Sequence, residues 1–358
     1  MRLRNCIGSL LLTLMLCSCN SWLDVDLINQ SEESDLFSTE RGFSEALAGV
    51  YCDIAASNMY GQTLSFGMLD IMSRIYDYSQ IPNKMKIFRD YDYENKDMKS
   101  YIYLLWSSFY ANIAALNNIL EWSEKNASVL SDERRNQVRG EALALRGLLH
   151  FDIYRLFATD VKLDPTARVL PYQTKFGVKT SPVYSTMDYL NLVIGDLEDA
   201  VKYLENDPIK EVKPYQLGNG DDENKDGADL YVARMNYYAT KALLARVYLS
   251  MGGDKIKDAR RLAEEVIDCG KFALVDYERS LNTDEANKDL LFSDEHIFSL
   301  RGQNVKTDAE GVHKQITGTD GNVQMASGYQ SILYLGDLED YRLNWYKSFY
   351  IIKYTCFI

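Results

Sequence analysis

The sequence predicts an all-α protein, mainly helices in antiparallel pairs, with long irregular loops and few short strands. Three observations predict it. Apolar residues recur at three- and four-residue steps through several long windows, the period of a buried helical stripe. Proline is scarce, 6 in 358 residues, so long helices meet few breaks. Gly252-Gly253 stands between two such windows and reads as the stop of one helix before its partner begins.

Composition bounds the rest. Apolar residues make up 46% and charged residues 25%, a globular rather than a disordered balance, and the length allows one large domain or two ordinary ones. A net charge of −13 without a dense Lys/Arg run argues against a nucleic-acid partner, which needs a basic patch to meet phosphate. Tyrosine is abundant at 26 residues and supplies amphipathic rings for packing or stacking. The cysteines Cys6, Cys17, Cys19, Cys52, Cys269 and Cys356 show no CxxC or metal-like spacing, and a disulfide framework is not expected in so long a chain.

The first segment is an address. Arg2 and Arg4 precede the apolar run Ile7 to Leu16, too short to span a bilayer, and Leu16-Cys17-Ser18-Cys19 follows. An aliphatic residue three before Cys19 and a small one directly before it resemble a bacterial lipobox. Residues 1–18 are therefore expected to be a lipoprotein signal peptide, with Cys19 acylated and 19–36 a polar tether. Acyl chains contribute roughly 0.8 kcal/mol per buried CH₂, which changes the expectation from soluble to anchored. Ordinary cleavage leaving a free thiol is the competing reading. Asp24 and Asp26 read either as an aid to surface export or as part of a solvated tether.

Helices are expected in order. Thr39 caps a helix to Tyr51, with Phe43, Leu47, Val50 and Tyr51 on one face. Residues 66–97 mix aromatics and charges without a period and read as irregular. Tyr101 to Trp122 carries a stripe of Trp106, Tyr110, Ile113, Asn117 and Leu120. Ser131-Asp132-Glu133 opens a helix running to Phe157. After a proline-marked connection at about 160–185, Thr186 to Leu204 buries Leu190, Ile194, Leu197, Val201 and Leu204. Residues 206–229 are loop. Met235 to Met251 and Asp258 to Cys269 form a pair: Leu244, Ala245, Tyr248 and Gly252, then Ala259, fall near the spacing of a tetratricopeptide repeat, where Ala permits close helix approach. His296 to Leu300 suggests a short strand, and 303–330 reads as loop.

No catalytic motif emerges. His150, His296 and His313 are far apart, and neither HExxH, Gly-x-Ser-x-Gly nor a phosphate-cradling Gly loop is present. His150 reads as a packed helical histidine. Asp222, Asn224 and Asp226, followed by Gly227, open like a calcium loop, but Ala233 stands where the bidentate Glu belongs, so a solvated acidic turn is expected and no cofactor. Trp106 and Tyr110 lie on a helical stripe and are assigned to packing. The non-periodic Tyr76, Tyr78, Tyr91 and Tyr93 are the candidate ligand platform, with Arg74 and Asn83 as hydrogen-bonding neighbours, because pyranose C–H faces stack on rings while hydroxyls need polar partners.

Several segments together resemble the SusD/RagB family of outer-membrane nutrient-binding lipoproteins of Bacteroidetes. They are Cys19 with Trp22-Leu23-Asp24; Phe37 to Tyr51; Trp106 to Ile113 with Asn117; Gly140-Glu141-Ala142 with Leu145-Arg146, Phe151-Asp152 and Arg155-Leu156-Phe157; and Ala239 to Gly252. The resemblance implies a tetratricopeptide-like helical domain over residues 37–302. It also implies a non-enzymatic, cell-surface role: capture of an oligosaccharide and its delivery to a SusC-like TonB-dependent transporter. Ligand contacts would come from variable loops. An exported all-α glycoside hydrolase, needing two carboxylates across a cleft, and a protein-binding scaffold are the alternatives. Family members run longer than this chain, and Phe349 to Ile358 is apolar without helix or cap logic. Residues 303–358 are therefore expected to be a loop-rich, incomplete C-terminal portion.

Overall fold

The structure is a computed structural model that describes residues 33–74, 83–179, 181–211, 231–274, 293–317 and 356–357. Helix α1, Glu40–Ile54, starts where Thr39 Oγ1 accepts a hydrogen bond from the Gly42 amide at 3.1 Å, and it buries Phe43, Leu47, Val50 and Ile54. The expected irregular stretch 66–97 holds two short helices, α2 (Met68–Ser73) and α3 (Asn83–Arg89). Each is about two turns or less, too short to display a period, which is why they do not register in the sequence.

Helix α4, Lys96–Lys125, begins at Lys96 rather than Tyr101, because Asn95 caps it by accepting from the Asp97 amide at 2.9 Å. Its fully buried stripe is Leu105, Phe109, Ile113 and Leu116; Trp106, Tyr110 and Leu120 flank it half-buried. The expected stripe is thus rotated by one residue. Trp106 and Tyr110 were drawn into it by ring size, yet they occupy the edge of the face. There Trp106 meets Phe157 edge-on with centroids 5.2 Å apart.

Helix α5, Asp132–Phe157, is capped by Ser131 Oγ, which accepts from the Arg134 amide at 3.1 Å. Every residue from Gly140 to Tyr154 is buried, so α5 has no solvent face along that length: it is the central helix. It packs between α4 and α6, Thr186–Tyr203, and α6 also carries α7, Tyr237–Met251. The approach of α5 to α6 needs glycine: a Cβ on Gly140 would come within 2.5 Å of Leu204, and one on Gly147 within 2.7 Å of Leu197.

Helix α8, Lys255–Asp268, returns antiparallel to α7 after Gly252 and Gly253, both at positive φ (74° and 55°). The expected pair is observed, with Tyr248 and Ala245 buried. Two short strands, β1 (Arg168–Pro171) and β2 (Val183–Ser185), pair antiparallel within the proline-marked connection. Farther on, β3 (Ser299–Leu300) pairs with β4 (Cys356–Phe357). Between them lies α9, Val305–Thr317, where loop was expected. Its Val305, Ala309 and Val312 are buried at helical spacing, a signal diluted by Gly302, Asn304 and Gly311 around it. Among the described residues no helix is long and apolar enough to cross a membrane.

Candidate functional site

Two kinds of polar chemistry separate in the structure. The first is internal. Arg146 on α5 donates to both carboxylate oxygens of Asp196 on α6 at 2.7 and 2.6 Å and to Asn117 Oδ1 on α4 at 2.7 Å. Tyr172 donates its hydroxyl to Asp196 at 2.6 Å and stacks on His150 with centroids 3.8 Å apart. Asn117 and Tyr110 donate to the carbonyls of Gln173 (3.1 Å) and Pro171 (2.8 Å). These bonds stitch the segment after β1 onto three helices. Burial pushes the His150 imidazole down to about 3, so it stays neutral, hydrogen-bonded through Nδ1 to the Tyr189 hydroxyl at 2.7 Å.

A second internal set joins distant segments. Glu141 accepts from the Tyr51 hydroxyl at 3.0 Å and from Arg234 at 3.2 Å, while Arg234 also donates to Asp207 at 2.6 Å. Burial raises the Glu141 carboxyl, and Arg234 opposes that shift. Tyr60 donates to Asp152 at 2.6 Å. Tyr51, Asn117, Glu141, Arg146 and Asp152, which carry the family resemblance, are therefore internal cross-links of the helical scaffold. The buried carboxylates Asp196, Glu141 and Asp207 are held by arginines, an arrangement suited to fixing helices rather than to acid–base work.

The second chemistry is external and lies around α2, α3 and the start of α4. Arg74 and Tyr91 are the non-glycine residues at positive φ (58° and 54°) among the described residues. They touch: the Arg74 guanidinium lies 4.8 Å from the Tyr91 ring centroid. Arg74 also donates to the Arg89 carbonyl at 3.1 and 2.7 Å, and the Tyr91 hydroxyl donates to the Met72 carbonyl at 2.5 Å. Arg74 is the left-handed C-cap that ends α2, and it and Tyr91 hold each other at the surface. Tyr93 follows at 50% exposure, and Tyr103 on α4 stands at 74%.

Between α2, α3 and the start of α4 is a pocket of about 210 Å³. Met68 and Ile71 of α2, Met85 and Phe88 of α3 and Tyr101 of α4 line it, with Gln62 and Thr63 from the preceding loop. Phe88 and Tyr101 meet edge-on with centroids 5.0 Å apart. Asp70, on α2, has its carboxyl raised to about 6 by burial.

Of the residues singled out in the sequence, Arg74, Tyr91 and Tyr93 are brought to one surface. Asn83 opens α3, and its side chain lies outside the described residues, as do Tyr76, Tyr78, Cys19 and the acidic turn with Asp222, Asn224 and Asp226. Sequence reasoning missed Gln62, Tyr101 and Tyr103. The last two were assigned to a packed helix. Tyr103 lies two residues before Leu105, off the buried stripe, a signal that was available. Among the described residues no cluster of three or more His, Cys, Asp or Glu is arranged to hold a metal.

Comparison with known proteins bears on the scaffold. Residues 21–216 match the SusD-like family whose description is "Starch-binding associating with outer membrane". The match covers more than half of the chain, and the chain belongs to the SusD/RagB family. Solved structures share the fold. A SusD superfamily protein from Bacteroides thetaiotaomicron is 24% identical, with a TM-score of 0.53, covering 73% of this chain and 52% of its own. A SusD-like carbohydrate binding protein from Bacteroides vulgatus is 16% identical at a TM-score of 0.53, with 77% and 54% covered. A SusD superfamily protein from Bacteroides fragilis is 20% identical at 0.53, with 74% and 56% covered. The chain thus spans about half the length of these structures. No curated protein matches it.

Proposed function

We propose that this chain captures an oligosaccharide at the outer-membrane surface without cleaving it and hands it to a SusC-like TonB-dependent transporter, anchored through an acylated Cys19. The observation that carries the reading is the set of exposed tyrosines, Tyr93 beside the Arg74–Tyr91 pair and Tyr103 on α4, on a scaffold of a family described as starch-binding. Exposed rings offer flat apolar faces to pyranose C–H groups, and the buried carboxylates Asp196, Glu141 and Asp207 are held by arginines. The carbohydrate binding named for the Bacteroides vulgatus relative supports the same direction. Such binding is weak to moderate, because surface rings bury little area against competing water, and enclosure by a partner would raise retention through effective concentration.

Calorimetry of the chain across a glycan panel, with chromatography of each ligand afterwards, tests this. Heat of binding with intact ligand is expected. Cleaved products would move the protein to the hydrolases, and binding to no glycan would favour a protein-binding scaffold. The anchor has its own test: labelling by a fatty-acid probe is expected to vanish in Cys19→Ala, and retained labelling would place the lipid elsewhere.

A further inference from the structure

The pocket between α2, α3 and the start of α4 is not a stacking platform. Its walls come from three helices and the preceding loop: Met68, Ile71, Met85 and Phe88, all buried, supply an apolar part, and Gln62, Thr63 and Tyr101 stand among the polar lining. Hydroxyls of an unsubstituted pyranose that faced the thioether, sec-butyl and phenyl groups of the apolar part would be stripped of water without a partner, which costs affinity. At about 210 Å³ it is smaller than the cavities that enclose whole drug-sized ligands, and it suits one substituent or one small unit of a longer molecule.

Its polar contribution is specific. Among the described residues the side-chain amide of Gln62 makes no hydrogen bond, although its backbone carbonyl accepts from the Ser65 and Gly67 amides at 3.1 and 2.8 Å. The Tyr101 hydroxyl is likewise uncommitted there, while its ring is fixed against Phe88. Thr63, by contrast, spends its hydroxyl on the Ser57 carbonyl at 2.9 Å. An amide offers one acceptor and two donors together, and its natural complement is another amide. Methionine side chains adapt their shape around a small apolar group.

Resting on the glycan-binding reading above, we infer that this pocket receives the acetamido group of a 2-acetamido sugar: the methyl among Met68, Ile71, Met85 and Phe88, the amide opposite Gln62. Tyr93, outside the pocket, is then available to a flanking sugar unit, and the pocket sets which glycan is kept.

Chitotriose and cellotriose test it, since they differ only in bearing acetamido or hydroxyl at C2. Calorimetry on the full chain is expected to show chitotriose preferred by about tenfold. In saturation-transfer NMR the acetamido methyl is expected to receive the strongest saturation. Gln62→Leu removes the amide at similar bulk, and Met85→Phe narrows the pocket; each is expected to bring the preference close to one while the thermal midpoint stays in place. The two variants act through different chemistry, so if one fails to fold the other still decides. Equal binding of the two trisaccharides, a preference that survives the variants, or binding confined to glycans without acetamido groups would overturn the pocket inference and leave glycan capture standing. Binding to no glycan would overturn both.

Discussion

The helical core around α5 and the surface around α2 and α3 use the same residue types for opposite ends. In the core, Tyr172, Tyr189 and Tyr110 are anchored by their hydroxyls to Asp196, His150 and Pro171, and Arg146 is locked between Asp196 and Asn117. At the surface, Tyr93 and Tyr103 stand exposed, and Arg74 and Tyr91, both at positive φ, hold each other. The difference teaches that a tyrosine-rich composition is no evidence of a sugar site by itself. What separates a structural tyrosine from a binding one is whether its hydroxyl and ring are already used.

The comparison breaks first at Arg146. Arg146→Ala leaves Asp196 buried without its counter-charge and is expected to lower stability by about 3–5 kcal/mol, read by denaturant unfolding. A loss below about 1 kcal/mol would mean that water or Tyr172 compensates and that the network is dispensable. Tyr248 is a comparable case on the α7–α8 pair: it is 4% exposed and donates to Glu198 at 2.8 Å. Tyr248→Ala is expected to cost roughly 3–5 kcal/mol, and a change of a few tenths would place the ring outside the core.

An effect of comparable size comes from pH. His150 has a folded pKa near 3 against an ordinary value of 6.5, because burial disfavours its charged form. The unfolded chain therefore binds a proton that the folded chain refuses. The stability this group contributes is fully present above about 6.5 and is lost as pH falls from there toward 3, at a slope approaching about 1.4 kcal/mol per pH unit. His150→Asn is expected to flatten that part of the profile, read as thermal midpoint between pH 7 and pH 4. An unchanged slope in the variant would mean that other groups, such as buried Glu141, set the acid limit.

The same contrast explains what the sequence discloses. Helices α1, α4 and α6 to α8 are legible because burial repeats with the helical period, and Thr39, Ser131 and Gly252 mark the ends of α1, α5 and α7. The family motifs are legible for a related reason: Tyr51, Glu141, Arg146 and Asp152 are fixed in spacing by the helices they cross-link. The segment from the end of β1 is not legible, since it meets Tyr110 and Asn117 through its own main-chain carbonyls at Pro171, Gln173 and Lys175, which any residue could supply. Nor is α9, whose three buried positions lie among glycines and polar residues. At the surface, exposure singled out Arg74, Tyr91 and Tyr93 by their lack of period. Their left-handed backbone, the pocket between α2, α3 and α4 and the free amide of Gln62 are consequences of tertiary contact with no sequence pattern of their own.

The smallest effect on stability is expected where the effect on binding is largest. Tyr93→Ala and Tyr103→Ala, combined, remove two rings that are 50% and 74% exposed, so the thermal midpoint should barely move. Calorimetry against the glycan that binds the unmodified chain is the direct test of the division between scaffold and surface. Affinity reduced by roughly tenfold or more at unchanged stability is the expected result. Affinity retained in that double variant, with the protein folded, would contradict it and place the ligand elsewhere on the chain.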